Sequence, residues 1–156
     1  MKLLAYEVDK RSFLGVLNED ETWVYPVAAA GMEYRSMKDL IREAGPSEME
    51  MLDYISKKMP GDVTGAAPVE EIKVVSPIAE PDQDIICLGI NYMDHAKESA
   101  RFQKEEFSKP EKAIYFSKRV NRTNDPDGII PAHKNLTNQL DYEAELALSS
   151  RKTRRT

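Results

Sequence analysis

Two glutamates near the end of the chain lie two residues apart in an alternating apolar segment, residues 140–148 (LDYEAELAL). On a β-strand, Glu143 and Glu145 would point to the same face, separated by ~6.8 Å, so both carboxylates could reach one cation. Carboxylate oxygens are the ligands that a hard ion such as Mg²⁺ prefers. The spacing is therefore compatible with a divalent metal site. An amphipathic strand with a solvated acidic face stays open, as does a helix on which the two side chains diverge.

A histidine and a glutamate lie three residues apart in segment 89–99 (GINYMDHAKES), which follows the apolar run DIICL. On a helix His95 and Glu98 share a face, so the carboxylate could orient the imidazole and raise its basicity for general-base catalysis. Gly89 allows a sharp change of direction where the strand ends. The alternative is an idle, solvated pair on a surface helix. The position at the end of an apolar strand, where loops often carry catalytic residues, adds support to the catalytic interpretation, and both interpretations stay open.

The first 60 residues combine strand patterns with two helix patterns. We expect strands over residues 2–7, 12–17 and 22–27, and helices over 37–44 and 46–58. A polar cluster between the last two strands indicates a hairpin turn. These elements predict a small N-terminal β/α domain.

Proline, glycine and alanine are concentrated in residues 61–70, which predicts a linker. Strand patterns return after it, together with one short helix pattern over residues 91–101. The expected strands cover residues 72–75, 84–90, 112–118, 128–132 and 140–148. The sequence therefore predicts a β-rich α+β fold, with a small domain over 1–60, a linker over 61–70 and a second part over 71–148.

Composition narrows the class of protein. The chain has 156 residues, 41% of them hydrophobic, and a formal net charge of -5, which is ordinary for a globular protein and unlike a nucleic-acid binder. The one cysteine, Cys87, excludes an intrachain disulfide and is expected to be buried. The N-terminus is too polar for a signal peptide, and no apolar run is long enough for a membrane span. We therefore expect a cytoplasmic protein without nucleic-acid or membrane partners.

Three segments of the chain resemble the fumarylacetoacetate hydrolase family: DIICLGINYMDHAKE, KAIYFSKRVN and IIPAHKNLTNQLDYEAELAL. The resemblance covers about residues 70–148 and includes the patterns G-x-N-Y-x-D-H-A-x-E and D-Y-E-x-E-L-A. It implies that the small N-terminal domain precedes the first part of a mixed β-sandwich roll.

The resemblance also implies a chemistry. Members hydrolyse, decarboxylate, hydrate or isomerise small 2-oxo acids and 1,3-dicarbonyl compounds, through an enolate that a divalent metal stabilises. It implies Mg²⁺, or else Mn²⁺ or Ca²⁺, bound by Glu143, Glu145 and an aspartate on a later strand. His95 and Glu98 would carry acid–base work on a mobile lid, and Lys118 would lie in the pocket. Complete relatives are usually homodimers.

The chain departs from the family pattern after Leu148. The apolar alternation gives way to the basic residues 149–156 (SSRKTRRT), and the chain has no later strand for a third ligand. We therefore expect a catalytic domain truncated near residue 148, with an aberrant basic tail and weak Mg²⁺ binding. Uncovered apolar strands and folding mainly over residues 1–60 should accompany the truncation. The alternative is a non-catalytic remnant or binding module that lacks a complete metal site.

Overall fold

A computed structural model describes residues 1–94, Lys97 and residues 112–149. The chain divides into two compact units, residues 1–79 with 124–156, and residues 80–123. The first unit contains the strands β1 (Leu3–Val8), β2 (Arg11–Leu17), β3 (Trp23–Pro26), β4 (Ala67–Pro68) and β5 (Lys73–Val75). They form an antiparallel sheet in the order β4-β3-β2-β1-β5.

Two turns connect the first three strands. Between β1 and β2, Asp9 and Lys10 both have positive φ values, 49° and 63°. A two-residue hairpin turn needs positive φ at both positions if its twist is to match that of the strands. Between β2 and β3, the Asn18 side-chain oxygen accepts hydrogen bonds from the backbone N–H groups of Thr22 (2.9 Å) and Trp23 (3.0 Å). The predicted hairpin turn before β3 is therefore confirmed.

Two helices follow, α1 (Met37–Glu43) and α2 (Pro46–Ser56). Ser36 caps α1, because its hydroxyl accepts a hydrogen bond from the Asp39 N–H at 3.1 Å. Gly45 separates the helices, and its N–H donates to the Glu48 carboxylate at 3.0 Å. Pro46 opens α2, where no N–H is needed. Both predicted helices are confirmed, and α2 ends two residues earlier than the sequence predicts.

The core of the first unit lies on both faces of its sheet. On the helix side, Leu40 and Leu52 pack with Val16 and Tyr25, and Leu52 and Tyr25 are fully buried. On the other side, a second cluster contains Leu4, Tyr6 and Val24, covered by Leu17, Ala67, Ile72 and Val74. Each face of the sheet therefore carries a buried apolar cluster formed by residues of the same unit.

Residues 61–70, for which the sequence predicts a linker, belong to this sheet in part. They contain β4, in which Ala67 lies opposite Val24 of β3, and 3₁₀ turns precede and follow it at Pro60–Asp62 and Val69–Glu71. Beyond them, Val75 of β5 pairs with Ala5 of β1. The sheet therefore contains two strands, β4 and β5, that follow residue 60 in the chain. The domain limits at residues 60 and 70 stay a prediction.

The buried tyrosines make the first unit sensitive to high pH. Burial raises the pKa of the Tyr25 phenol, and the carboxylates of Asp20 and Asp62 raise it further; burial also raises the pKa of Tyr6. An unfolded tyrosine loses its proton near pH ~10, before the folded one does. The contribution of these two tyrosines to the free energy of unfolding is therefore complete below pH ~10, and it is lost as the pH rises through their pKa values in the folded protein.

Tyr25→Phe should lower the free energy of unfolding at pH 7 by about 1 kcal/mol and make the loss of stability above pH ~10 less steep. At pH 7 the variant lacks the hydrogen bond from the Tyr25 hydroxyl to the Lys58 carbonyl, 2.8 Å long. Urea unfolding at pH 7 and pH 10.5 measures both effects. Tyr54→Phe is the control, since the Tyr54 side chain is 56% exposed. Equal pH profiles for wild type and Tyr25→Phe would contradict the prediction.

The second unit contains two strands, β6 (Ile85–Gly89) and β7 (Ile114–Lys118), paired antiparallel. Both strands confirm the sequence prediction. Residues 93, 94 and 97 are helical, at the start of the helix predicted over 91–101; the rest of that segment lies outside the described residues. Among the described residues, no helix is long and apolar enough to cross a membrane.

The strands predicted over 128–132 and 140–148 are wrong, because neither segment has regular structure. A strand needs a partner for its backbone N–H and C=O groups, and both segments are unpaired within the part of the chain that the structure describes. The β-rich α+β class is confirmed. The mixed β-sandwich roll stays a prediction.

Candidate functional site

The acidic segment around Glu143 has no regular secondary structure and is open to solvent. Glu143 and Glu145 are both exposed, and so are their apolar neighbours Tyr142 (87%) and Leu146 (81%). The Asp141 carboxylate accepts a hydrogen bond from the Tyr142 N–H at 2.8 Å. The apolar alternation that predicts a half-buried strand here has no buried side.

Two carboxylates are suitable donors for Mg²⁺, Mn²⁺ or Ca²⁺, but a site needs more of them. Within residues 1–94, Lys97 and 112–149, His, Cys, Asp and Glu side chains do not form a group of three that could hold an ion. Glu143 and Glu145 thus fit a metal site in kind, and these residues alone do not assemble one. Their role as ligands stays a prediction.

Lys118 is the last residue of β7 and lies opposite Ile85 of β6. It is exposed, with its ammonium nitrogen 5.8 Å from the centroid of the Phe116 ring. Cys87, opposite Phe116, is half-buried rather than fully buried as expected. A lysine with a solvated ammonium at the end of a strand could bind a carboxylate of a substrate, and this role too stays a prediction.

His95 and Glu98, the proposed acid–base pair, lie outside the described residues. The residues just before and between them are helical where described, and Lys97 lies 3.6 Å from the Asp94 carboxylate, three residues earlier. The same three-residue spacing separates His95 from Glu98 in the sequence. Their pairing is therefore a prediction from sequence.

The backbone conformation of Ile90 could not be predicted from the sequence. The sequence places the change of direction after β6 at Gly89, whereas the positive φ (52°) belongs to Ile90. A β-branched residue rarely adopts this conformation, and such outliers cluster at functional sites. The turn leads directly into the N-Y-x-D-H segment that contains His95. Because β-branching disfavours positive φ, residue type alone gives no signal for this position.

Asp125 anchors the segment that leads to Glu143 onto the first sheet. One of its carboxylate oxygens accepts a hydrogen bond from the Ser76 N–H at 2.9 Å. The other lies 3.8 Å from the Lys73 ammonium, which also binds Glu7 at 3.1 Å. The backbone carbonyl of Asp125 also accepts a hydrogen bond from the Gly128 N–H (3.0 Å), which closes a turn over residues 125–128. The start of residues 124–149 is thus held to the end of β5.

Asp125→Ala should increase the hydrogen-exchange rate of the Ser76 amide by about tenfold. The variant removes a charge-assisted acceptor, and a tenfold change corresponds to about 1.4 kcal/mol. Exchange measured by NMR at Ser76 and at neighbouring β5 amides checks it. Asp125→Asn retains an acceptor oxygen and should lose much less protection. An unchanged rate at Ser76 in Asp125→Ala would show that the carboxylate does not protect this amide.

Comparison with known proteins confirms the resemblance predicted from the motifs. Residues 84–155 match the sequence model described as "Fumarylacetoacetate (FAA) hydrolase C-terminal". The match begins at the strand that precedes Gly89 and includes the segments with His95, Lys118 and Glu143. It continues past Leu148, where the apolar alternation ends, so the match itself does not mark a truncation there.

Curated relatives match almost the whole chain. Oxaloacetate tautomerase YisK of Bacillus subtilis is 38% identical over 158 residues, which cover 95% of this chain and 51% of that protein. An uncharacterized protein of Staphylococcus epidermidis is 28% identical over 95% of this chain and 50% of its own length. An uncharacterized protein of Staphylococcus aureus is 27% identical with the same coverage. The chain spans about half the length of the curated relatives it matches.

Proposed function

We propose that this chain supplies part of an enzyme that acts on small 2-oxo acids, because residues 84–155 match the sequence model of the fumarylacetoacetate hydrolase family. The reaction best supported is the tautomerisation of oxaloacetate. The observation that carries this choice is the 38% identity to a protein named oxaloacetate tautomerase, which extends over 95% of the chain. More generally, we propose a reaction of the same group, which includes decarboxylation and C–C hydrolysis of related 2-oxo acids and 1,3-dicarbonyl compounds.

The reaction requires proton transfer and little else. Converting enol to keto oxaloacetate removes the proton from the enol oxygen on C2 and places one on C3, the other carbon of the double bond. Histidine is suited to this exchange, since its unperturbed pKa lies near neutrality. We assign proton transfer to His95 and the orientation of its imidazole to Glu98. Lys118 would hold a substrate carboxylate through its ammonium group.

Glu143 and Glu145 are the proposed carboxylate ligands of a divalent cation, Mg²⁺, Mn²⁺ or Ca²⁺. When bound, the cation would polarise the 2-oxo group of the substrate. The described residues provide these two carboxylates without a third donor, so the proposal requires further ligands from outside that part of the chain. Both glutamates are exposed, so further ligands could approach a cation that they bind.

The test uses the purified chain and a chimera in which the chain replaces the matched half of YisK. Loss of the ultraviolet absorbance of enol oxaloacetate measures tautomerisation, with Mg²⁺ and with EDTA. We expect turnover by the chimera, abolished by EDTA and reduced at least about 100-fold by His95→Ala. An acylpyruvate tests C–C hydrolysis in parallel. A folded chimera that hydrolyses the acylpyruvate and leaves oxaloacetate unchanged would reassign the reaction; one inactive on both would refute the proposal.

A second candidate is that the 156-residue chain has no catalytic activity by itself. The observation that favours it is the lack of a three-residue ligand group in the described part of the chain. In the same assay the chain alone would be inactive and the chimera active. Turnover by the chain alone at the rate of the chimera would exclude this candidate.

A further inference from the structure

The hairpin formed by β6 and β7 is apolar on both faces. Because side chains alternate along a strand, Ile86, Leu88 and Tyr115 share one face, with Leu88 directly opposite Tyr115. Ile114 and Phe116 lie on the other. All five are exposed, Ile86 to 75% and Tyr115 to 67%.

Strands that are apolar on both faces are typical of sheets covered on both sides. The first unit provides the comparison within the same chain: Val16 and Val24 lie in its two opposite clusters, and both are fully buried. A two-stranded hairpin is at best marginally stable in water by itself. Large exposed apolar patches on proteins mark interaction surfaces. The hairpin therefore requires a covering that the described residues do not supply.

The backbone edges of the hairpin indicate how that covering could bind. In the described part of the chain, β6 and β7 are each paired with one strand, which is the other. Their outer edges thus present backbone N–H and C=O groups that could pair with an additional strand. A partner that adds strands at the edges and packs apolar side chains on both faces would satisfy these groups.

We propose that the β6–β7 hairpin binds a polypeptide equivalent to the half of YisK that this chain does not match. Two observations select this occupant. The matched relative contains about as much sequence again, since the chain covers 51% of it. The family match starts at residue 84 and includes both strands, whereas the first unit buries an apolar cluster of its own on each face of its sheet. A second copy of this chain would bring another uncovered hairpin and leave a face exposed.

Co-expression of the 156-residue chain with a tagged polypeptide comprising the unmatched half of YisK tests the proposal. We expect a 1:1 complex by size-exclusion chromatography with light scattering. Ile86→Asp and Ile114→Asp, one on each face, should each reduce the retained partner at least about tenfold, because a carboxylate would be buried in an apolar interface. Met59→Asp is the matched control, since Met59 is 71% exposed in the first unit; its retention should be unchanged.

Hydrogen exchange over residues 1–79 verifies that each variant keeps its folded first unit. Failure of the two polypeptides to associate would overturn the proposal. Equal loss of binding in Met59→Asp would do the same, as would a homodimer that protects Ile86 and Ile114 and excludes the partner. The readout is association, so its result is independent of whether the assembled protein converts oxaloacetate.

Discussion

Glu143→Gln and Glu145→Gln, each made in the YisK chimera, are expected to reduce oxaloacetate tautomerisation by at least about 100-fold. Glutamine retains the size of the side chain and removes the negative charge that a divalent cation requires. Replacing a residue that only orients a metal ligand already lowers metal affinity or activity by about 10- to 100-fold. The substitution of a ligand should therefore cost at least as much.

Steady-state kinetics at several Mg²⁺ concentrations separate a ligand from a residue of the substrate pocket. High Mg²⁺ should restore part of the activity of Glu143→Gln and none of that of His95→Ala. Asp141→Asn is the control, because Asp141 precedes the pair and its side-chain contact needs only one acceptor oxygen. Full activity in both glutamine variants would exclude Glu143 and Glu145 as ligands.

The sequence predicts those helices and strands whose limits are set by residues close together in the chain. Ser36 and the Gly45-Pro46 pair set the limits of the helices through local hydrogen bonds and the missing N–H of proline. β6 and β7 follow from short runs of β-branched and aromatic residues. Each signal is complete within a few positions, so no knowledge of the tertiary structure is required.

Pairing between distant residues is what the sequence does not predict. Pairing β5 with β1 brings Val75 against Ala5, and neither segment identifies the other. The turn at Asp9 and Lys10 contains no glycine to indicate its positive φ values. The reverse error occurs over residues 140–148, where the alternation is that of a strand and no strand forms among the described residues. Periodicity records which side chains could be buried, whereas a strand also needs a partner.

The candidate site combines both kinds of information. Residue types and order resemble the fumarylacetoacetate hydrolase family, and residues 84–155 match the sequence model of that family. They do not bring the side chains together: Lys118 ends an exposed strand, Glu143 and Glu145 lie in an exposed segment without regular structure, and His95 lies outside the described residues. Assembling these groups depends on contacts made by the rest of the fold.

The largest stability effect in the first unit is expected from Leu52→Ala, at about 3 kcal/mol. Leu52 is fully buried in the cluster between α2 and the sheet, and truncation of a buried leucine removes its transfer free energy and leaves a cavity. Each kcal/mol shifts the melting temperature of a domain of this size by about 4–8 °C. The midpoint should therefore fall by more than about 10 °C.

Trp23 supplies the measurement, since it is the one tryptophan of the chain and packs against the same cluster as Leu52. Its fluorescence reports the loss of this core on heating. Met51→Ala, at the adjacent position of α2, is the control, because Met51 is 44% exposed and its truncation should cost about 0.5 kcal/mol or less. Similar midpoints for the two variants would mean that Leu52 does not support this core. A large difference would locate the stability of residues 1–79 in the packing of α2 on the sheet.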